Sequence, residues 1–178
     1  MYLCKGEKTN LRQIKPSDFD KIISWQQNQH LKEYIGDKLP MTLKECESRY
    51  LASSNFLNRI LGIEDKNGNF IGEIEINNIR WKNKQAELFL YIGEKNLWGQ
   101  GYGYDALKTF LDYIFNEKKF TYIYLRVYEH NKRAIRCYEK LGFKKRGILR
   151  FRKGKVDSDN LILMDISSSE IQSKQHIQ

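Results

Sequence analysis

Three glycines spaced two apart, at 99, 101 and 103, lie between a strand pattern and a helix pattern, and this junction constrains the chain most. Before it, Ala86, Leu88, Leu90 and Ile92 alternate with Glu87, Phe89 and Tyr91, the two-residue period of a β-strand. After it, Ala106, Leu107, Phe110, Leu111, Ile114 and Phe115 recur at helical spacing. Glycine permits positive φ and lets a ligand come close to the backbone. The first N–H groups of a helix lack intrahelical partners and sit at the positive end of its dipole, so strand, glycine loop and helix together form an anion site. A phosphate is expected on residues 100–104, with small side chains at Gly101 and Gly103.

Two common phosphate motifs fail here. The dinucleotide fingerprint needs glycine where Tyr104 stands, and no Gly-Lys-Ser/Thr triplet closes a nucleotide-triphosphate loop. A second signal lies downstream. A strand pattern at 121–128 leads to Asn131, Ala134, Tyr138, Gly142 and Phe143. Asn131 suits a helix N-cap and Gly142 the residue past its end, while Ala134, Tyr138 and Leu141 share a face. In order and spacing the two segments resemble the GNAT superfamily of acyl-CoA-dependent N-acyltransferases. Residues 98–103 resemble its Gln/Arg-x-x-Gly-x-Gly/Ala pyrophosphate loop, with Trp98 in the first position. Residues 131–143 resemble its N-x-x-A-x-x-x-Y-x-x-x-G-F helix. The Trp98 departure resembles the branch that modifies protein N-termini and polyamines, and the resemblance spans residues 10–166.

That resemblance implies an α/β (α+β) fold, with a mixed, mostly antiparallel sheet of about six to seven strands flanked by about four helices. It implies acetyl-CoA as co-substrate and no metal. The coenzyme would contact Leu90, Tyr91 and Ile92 through its pantetheine arm, then Trp98, Gly99, Gln100, Gly101, Tyr102, Gly103 and Tyr104 through its pyrophosphate, with Asn131 and Ala134 further on. Tyr138 would be the general acid for the departing thiolate, since a phenol pKa of ~10 keeps it protonated at neutral pH. Glu87 is the leading general base, with Glu73 and Glu75 on the neighbouring strand behind it; Arg126 stands where some members carry a glutamate. The first two helices and their link would wall the acceptor, which brings Trp25 and Tyr34 to that wall and adds Glu73 and Glu75 as acceptor contacts.

Taken in order, the chain begins with a strand at 10–14 and a helix capped by Ser17 or Asp18 that buries Phe19, Ile22 and Ile23. A flap at 26–40 follows, then a helix from Thr42 with Glu45 as capping-box partner. Strands on either side of Asn67-Gly68 read as a hairpin. Further strands are expected at 148–151, past which a turn forms around Gly154, and at 161–166. Residues 1–166 read as one domain and the polar 167–178 as a frayed tail.

Composition narrows the partners. Thirty-one Lys and Arg against 22 Asp and Glu leave a net charge of +9, which suits a polyanionic coenzyme as well as a ribosomal or nucleic-acid surface. Around the basic clusters 144–146 and 150–155, aromatics are not interleaved as stacking platforms, so a solvated surface is preferred to nucleic-acid binding. The three cysteines form no C-x-x-C pair, and no apolar run reaches the ~20 residues of a membrane span, so a cytoplasmic protein is expected, with no membrane partner. The reading is an N-acetyltransferase acting on a primary amine, either a protein N-terminus (a ribosomal protein among the candidates) or a small molecule. A homodimer is compatible with it. The alternatives are a polyamine or antibiotic-amine acetyltransferase and a non-catalytic coenzyme- or nucleic-acid-binding module.

Overall fold

The structure, a computed structural model, describes residues 1–51, 60–150 and 160–170. Phe151, the turn at Gly154, the cluster at 150–155 beyond Arg150 and the tail from 171 lie outside the described residues. Eight strands form a mixed sheet: β1 (Tyr2–Lys5), β2 (Thr9–Arg12), β3 (Ile60–Asp65), β4 (Phe70–Arg80), β5 (Gln85–Ile92), β6 (Tyr122–Tyr128), β7 (Lys144–Leu149) and β8 (Leu161–Ser167). Their order across the sheet is β1-β2-β3-β4-β5-β6-β8-β7. β5 and β6 run parallel, while β1–β2, β2–β3, β3–β4, β6–β8 and β7–β8 are antiparallel. The helices are α1 (Phe19–Gln26), α2 (Gln29–Ile35), α3 (Leu43–Cys46), α4 (Tyr102–Asn116) and α5 (Lys132–Leu141). The sheet exceeds the expected six to seven strands by the edge strand β1, whose four residues are too few to show a period.

Contacts group the chain into two compact units, residues 1–75 with 90–110, and residues 76–89 with 111–178. In the first, the hairpin between β3 and β4 forms where Asn-Gly stands. Asp65 closes it by accepting from the Asn67 and Asn69 amides, and Gly68 takes φ +85. Asp18 precedes α1 but does not cap it with its side chain. Its carboxylate instead meets the buried Arg12 guanidinium, which also grips Glu64, because a buried charge is tolerable only when paired. Thr42 caps α3 by accepting from the Glu45 amide, while Glu45 reaches back to the Met41 amide rather than to that of Thr42. A π-helical stretch, Glu47–Leu51, follows and turns Tyr50 inward.

Two glycines in this unit are there for close approach. A Cβ on Gly72 would lie 2.2 Å from the Tyr91 carbonyl oxygen, and one on Gly93 would lie 2.2 Å from the Trp25 ring. Trp25 is buried against Phe70 and Tyr91, and the Gly93 amide donates to Ile71 at 2.9 Å.

In the second unit, the β5–β6 register runs from Gln85↔Tyr122 to Glu87↔Tyr124, and β6 pairs with β8 along its whole length. α5 ends as its sequence requires. Gly142 takes φ +105 and Phe143 donates its amide to Tyr138, the reverse-turn cap that glycine permits. β7 begins at Lys144, so the basic cluster 144–146 is part of a strand. Lys144 pairs with Glu170, Lys145 with Glu139 and Arg146 with Asp165. β8 runs to Ser167 and a helical turn occupies 168–170, held by Glu170 accepting from the Ser167 amide.

Gly93→Ala should destabilise the fold by about 1–3 kcal/mol, because the added methyl must displace Trp25. Gly147→Ala, which meets nothing within 4 Å, should change stability by less than about 0.5 kcal/mol. Urea unfolding of both variants checks the pair.

Candidate active site

The glycine loop between β5 and α4 takes the positive φ that its glycines permit. Gly99 and Gly101 adopt φ +77 and +89, and α4 starts at Tyr102. The amides of Gly101, Tyr102 and Gly103 donate to no carbonyl among the described residues, which leaves three donors at the positive end of a helix. Gly103 has no positive φ, and a Cβ there would meet only Ile92, at 3.8 Å. The fold itself therefore tolerates a side chain at 103, and the glycine leaves the loop surface clear. Trp98, which replaces Gln or Arg of the motif, donates its indole N–H to the Ile92 carbonyl at 2.7 Å and meets Tyr34 of α2 edge-on. It thus ties the loop to the end of β5 and to the flap.

Beside that strand end lies a buried carboxylate. Glu73 of β4 is 0% exposed, and its Oε1 accepts from both the Tyr50 and Tyr91 hydroxyls, at 2.7 and 2.6 Å. Its Oε2 is buried and has no hydrogen-bond partner among the described residues. Burial pushes the Glu73 carboxyl up to about 7, outweighing the two phenols and Arg49, which favour the anion. The same burial and the adjacent carboxylate raise both phenols, so they remain protonated donors. Glu75, one turn of the pleat away, is engaged at 2.7 Å by Arg49.

Glu87 differs from what its alternating position suggests. It lies in the second unit and is buried, with Oε1 accepting from Arg126 Nε at 2.6 Å and Oε2 from Arg126 Nη2 and Asn78 Nδ2, at 3.0 and 2.6 Å. Both carboxylate oxygens are thus engaged, by the Arg126 guanidinium and by the Asn78 amide, a bidentate charge-assisted pairing. Asn78 reaches it from a left-handed backbone, φ +48.

Also in the second unit, Asn131 caps α5, its side chain accepting from the Ala134 amide at 3.2 Å. Tyr138 is 7% exposed beside Phe143, burial raises its phenol pKa, and its hydroxyl has no hydrogen-bond partner among the described residues. Leu90 to Ile92, 98–104, Trp25, Tyr34, Glu73 and Glu75 all belong to the first unit. Among the described residues no cluster of His, Cys, Asp or Glu could hold a metal ion, and no helix is long and apolar enough to cross a membrane.

A family model described as the acetyltransferase (GNAT) domain matches residues 8–144. The chain belongs to the GNAT acetyltransferases. It is therefore an acyl-CoA-dependent N-acetyltransferase that draws its acetyl group from acetyl-CoA. A spermidine N(1)-acetyltransferase of Vibrio cholerae is 27% identical over 145 residues, covering 81% of this chain and 83% of that protein. An uncharacterized protein of Methanocaldococcus jannaschii is 29% identical over 153 residues, 82% of this chain, and this chain spans 31% of its length. Among solved structures, Vibrio cholerae spermidine N-acetyltransferase in complex with CoA and spermine matches with a TM-score of 0.79 at 25% identity, covering 93% of this chain and 98% of that one.

The raised Glu73 carboxyl also sets a pH dependence of stability. A group that binds its proton more tightly when folded lowers stability as pH rises from its unfolded value, 4.5, towards about 7. Glu73→Gln removes that loss, so the variant should gain stability relative to the parent between about pH 5 and about pH 8. A constant difference in urea midpoint across that range would contradict the assignment.

Proposed function

We propose that the protein transfers the acetyl group of acetyl-CoA to a primary amine by direct attack, with Glu73 as proton acceptor and Tyr138 as proton donor. The observation that carries this reading is Glu73: a wholly buried carboxyl with two phenols on one oxygen, no hydrogen bond on the other among the described residues, and a pKa moved to about 7. A base poised near the working pH is what removal of an ammonium proton requires. Because Glu73 is sealed from solvent, the proton arrives through a phenolic oxygen of Tyr50 or Tyr91, each of which already donates to Oε1.

The acetyl-CoA thioester supplies an activated acyl group with a thiolate as leaving group. The amides of Gly101, Tyr102 and Gly103 hold its pyrophosphate, and the backbone of β5 from Leu90 to Ile92 carries the pantetheine arm. Tyr138 gives its proton to the departing sulfur. Asn131 both caps α5 and contacts the coenzyme, with Ala134 beside it. Glu87 with Arg126 is a fixed structural pair.

The acceptor is read as a molecule with one reactive amine, such as a peptide N-terminus. Asp37 in the flap is paired with Lys32, Glu75 with Arg49 and Glu94 with Lys21, so these three acids are already neutralised. A polyamine acceptor is the second reading, favoured by the spermidine acetyltransferases to which the chain is similar.

Acetyl transfer followed by mass spectrometry on N-terminal peptides, spermidine and an aminoglycoside decides the acceptor, and absence of any acetylated product would sink the reading. Tyr138→Phe should lower kcat about a hundredfold while leaving acetyl-CoA affinity unchanged; an unaltered rate removes the acid role. Gly103→Val should keep the stability of the parent and lose acetyl-CoA binding, because its side chain enters the phosphate surface and no other close contact. Calorimetric titration showing parental affinity would contradict the loop assignment.

A further inference from the structure

We propose that Lys8 is a second arm of the coenzyme site, an ammonium that the β1–β2 turn delivers to the pyrophosphate held on the glycine loop. The inference rests on the loop assignment above and adds a residue that the loop motif does not contain. Lys8 lies more than ninety positions from the loop in sequence, yet its Nζ donates to the Gln100 carbonyl at 2.9 Å. A Cβ on Gly101 would find Lys8 Nζ, Cε and Cδ at 3.7, 3.8 and 3.9 Å, so the ammonium stands on the side that glycine leaves open.

The placement is built. Asp105, buried in the first turn of α4, accepts from the Glu7, Lys8 and Thr9 amides at 3.0, 3.0 and 2.8 Å and from the Thr9 hydroxyl at 2.7 Å. Gly6 permits the turn to press on α4, since a Cβ there would lie 2.4 Å from both Asp105 Oδ2 and Thr109 Oγ1. Lys66 fastens the turn from the other side by donating to the Gly6 carbonyl at 2.7 Å. The backbone of Lys8 is therefore fixed against the same helix whose N-terminus forms the phosphate surface.

Charge gives this arrangement a use. Asp105 places a carboxylate in the first turn of the helix that must receive an anion, and Glu7 beside Lys8 adds an exposed one. The Lys8 ammonium offsets that negative charge on the loop side. It has three donors, of which Gln100 takes one, and the other two suit phosphate oxygens. The Tyr102 ring, 5.8 Å from Nζ, flanks the ammonium without using a donor.

The test compares kcat/KM of the parent, Lys8→Met and Lys8→Arg with three acetyl donors: acetyl-CoA, acetyl-dephospho-CoA, which lacks the 3′-phosphate, and acetyl-pantetheine, which lacks every phosphate. Lys8→Met should lower kcat/KM about tenfold for both phosphate-bearing donors, through KM, and leave acetyl-pantetheine unchanged. Lys8→Arg should recover most of the loss. An equal loss with acetyl-pantetheine would make Lys8 only a structural tether and overturn the proposal, as would an effect confined to the donor with the 3′-phosphate, or no effect. If the parent itself prefers acetyl-CoA no more than acetyl-pantetheine, the loop assignment fails and Lys8 with it.

Discussion

No side chain fits on Gly72. A single carbon there would collide with the Tyr91 carbonyl at 2.2 Å, so the backbones of β4 and β5 meet more closely than side chains allow. That approach organises the first unit. It sets Tyr91 within hydrogen-bond reach of Glu73, one residue along, and brings the Gly93 amide to the Ile71 carbonyl. Trp25 then packs on Gly93 where β5 leaves the sheet for the glycine loop, and Trp98 returns from that loop to the Ile92 carbonyl. The proposed base and the glycine loop thus share one junction.

Three buried carboxylates show how surroundings assign roles to the same group. Glu87 receives a guanidinium and an amide and is bound at both oxygens. Asp105 receives three amides and a hydroxyl and serves as a fastener. Among the described residues Glu73 receives two phenols, while the Arg49 guanidinium pairs with Glu75, so burial prevails and its pKa is pushed up to about 7. The difference between the three lies in their hydrogen-bond partners rather than in their burial.

Local signals in the sequence were legible, and remote ones were not. The hairpin at Asn67-Gly68, the Asn131 cap, the Gly142 terminus and the apolar stripe of α4 each depend on residues within a few positions of one another. Alternation along β4 assigns Glu73 to a polar face, and its burial is not read from that pattern. Yet Ile71 shares that face, and an apolar residue there was the available sign that both faces of the strand are covered. Its partners Tyr50 and Tyr91, and the Arg126 that claims Glu87, come from other elements, and only the tertiary fold brings them in. Asp18 likewise carries the sequence of a cap but serves the buried Arg12, since an unpaired interior charge costs more than a missing cap. β1 was invisible because a four-residue edge strand has no period to detect.

The most direct test of the account is a carbon-13 NMR titration of the glutamate side-chain carboxyl groups in the unliganded protein, with Glu73→Gln used to assign the Glu73 signal. The account predicts one glutamate resonance with a midpoint near neutral pH, absent from the variant. A Glu73 signal titrating in the ordinary carboxylate range would contradict it, and the amine would then need another base.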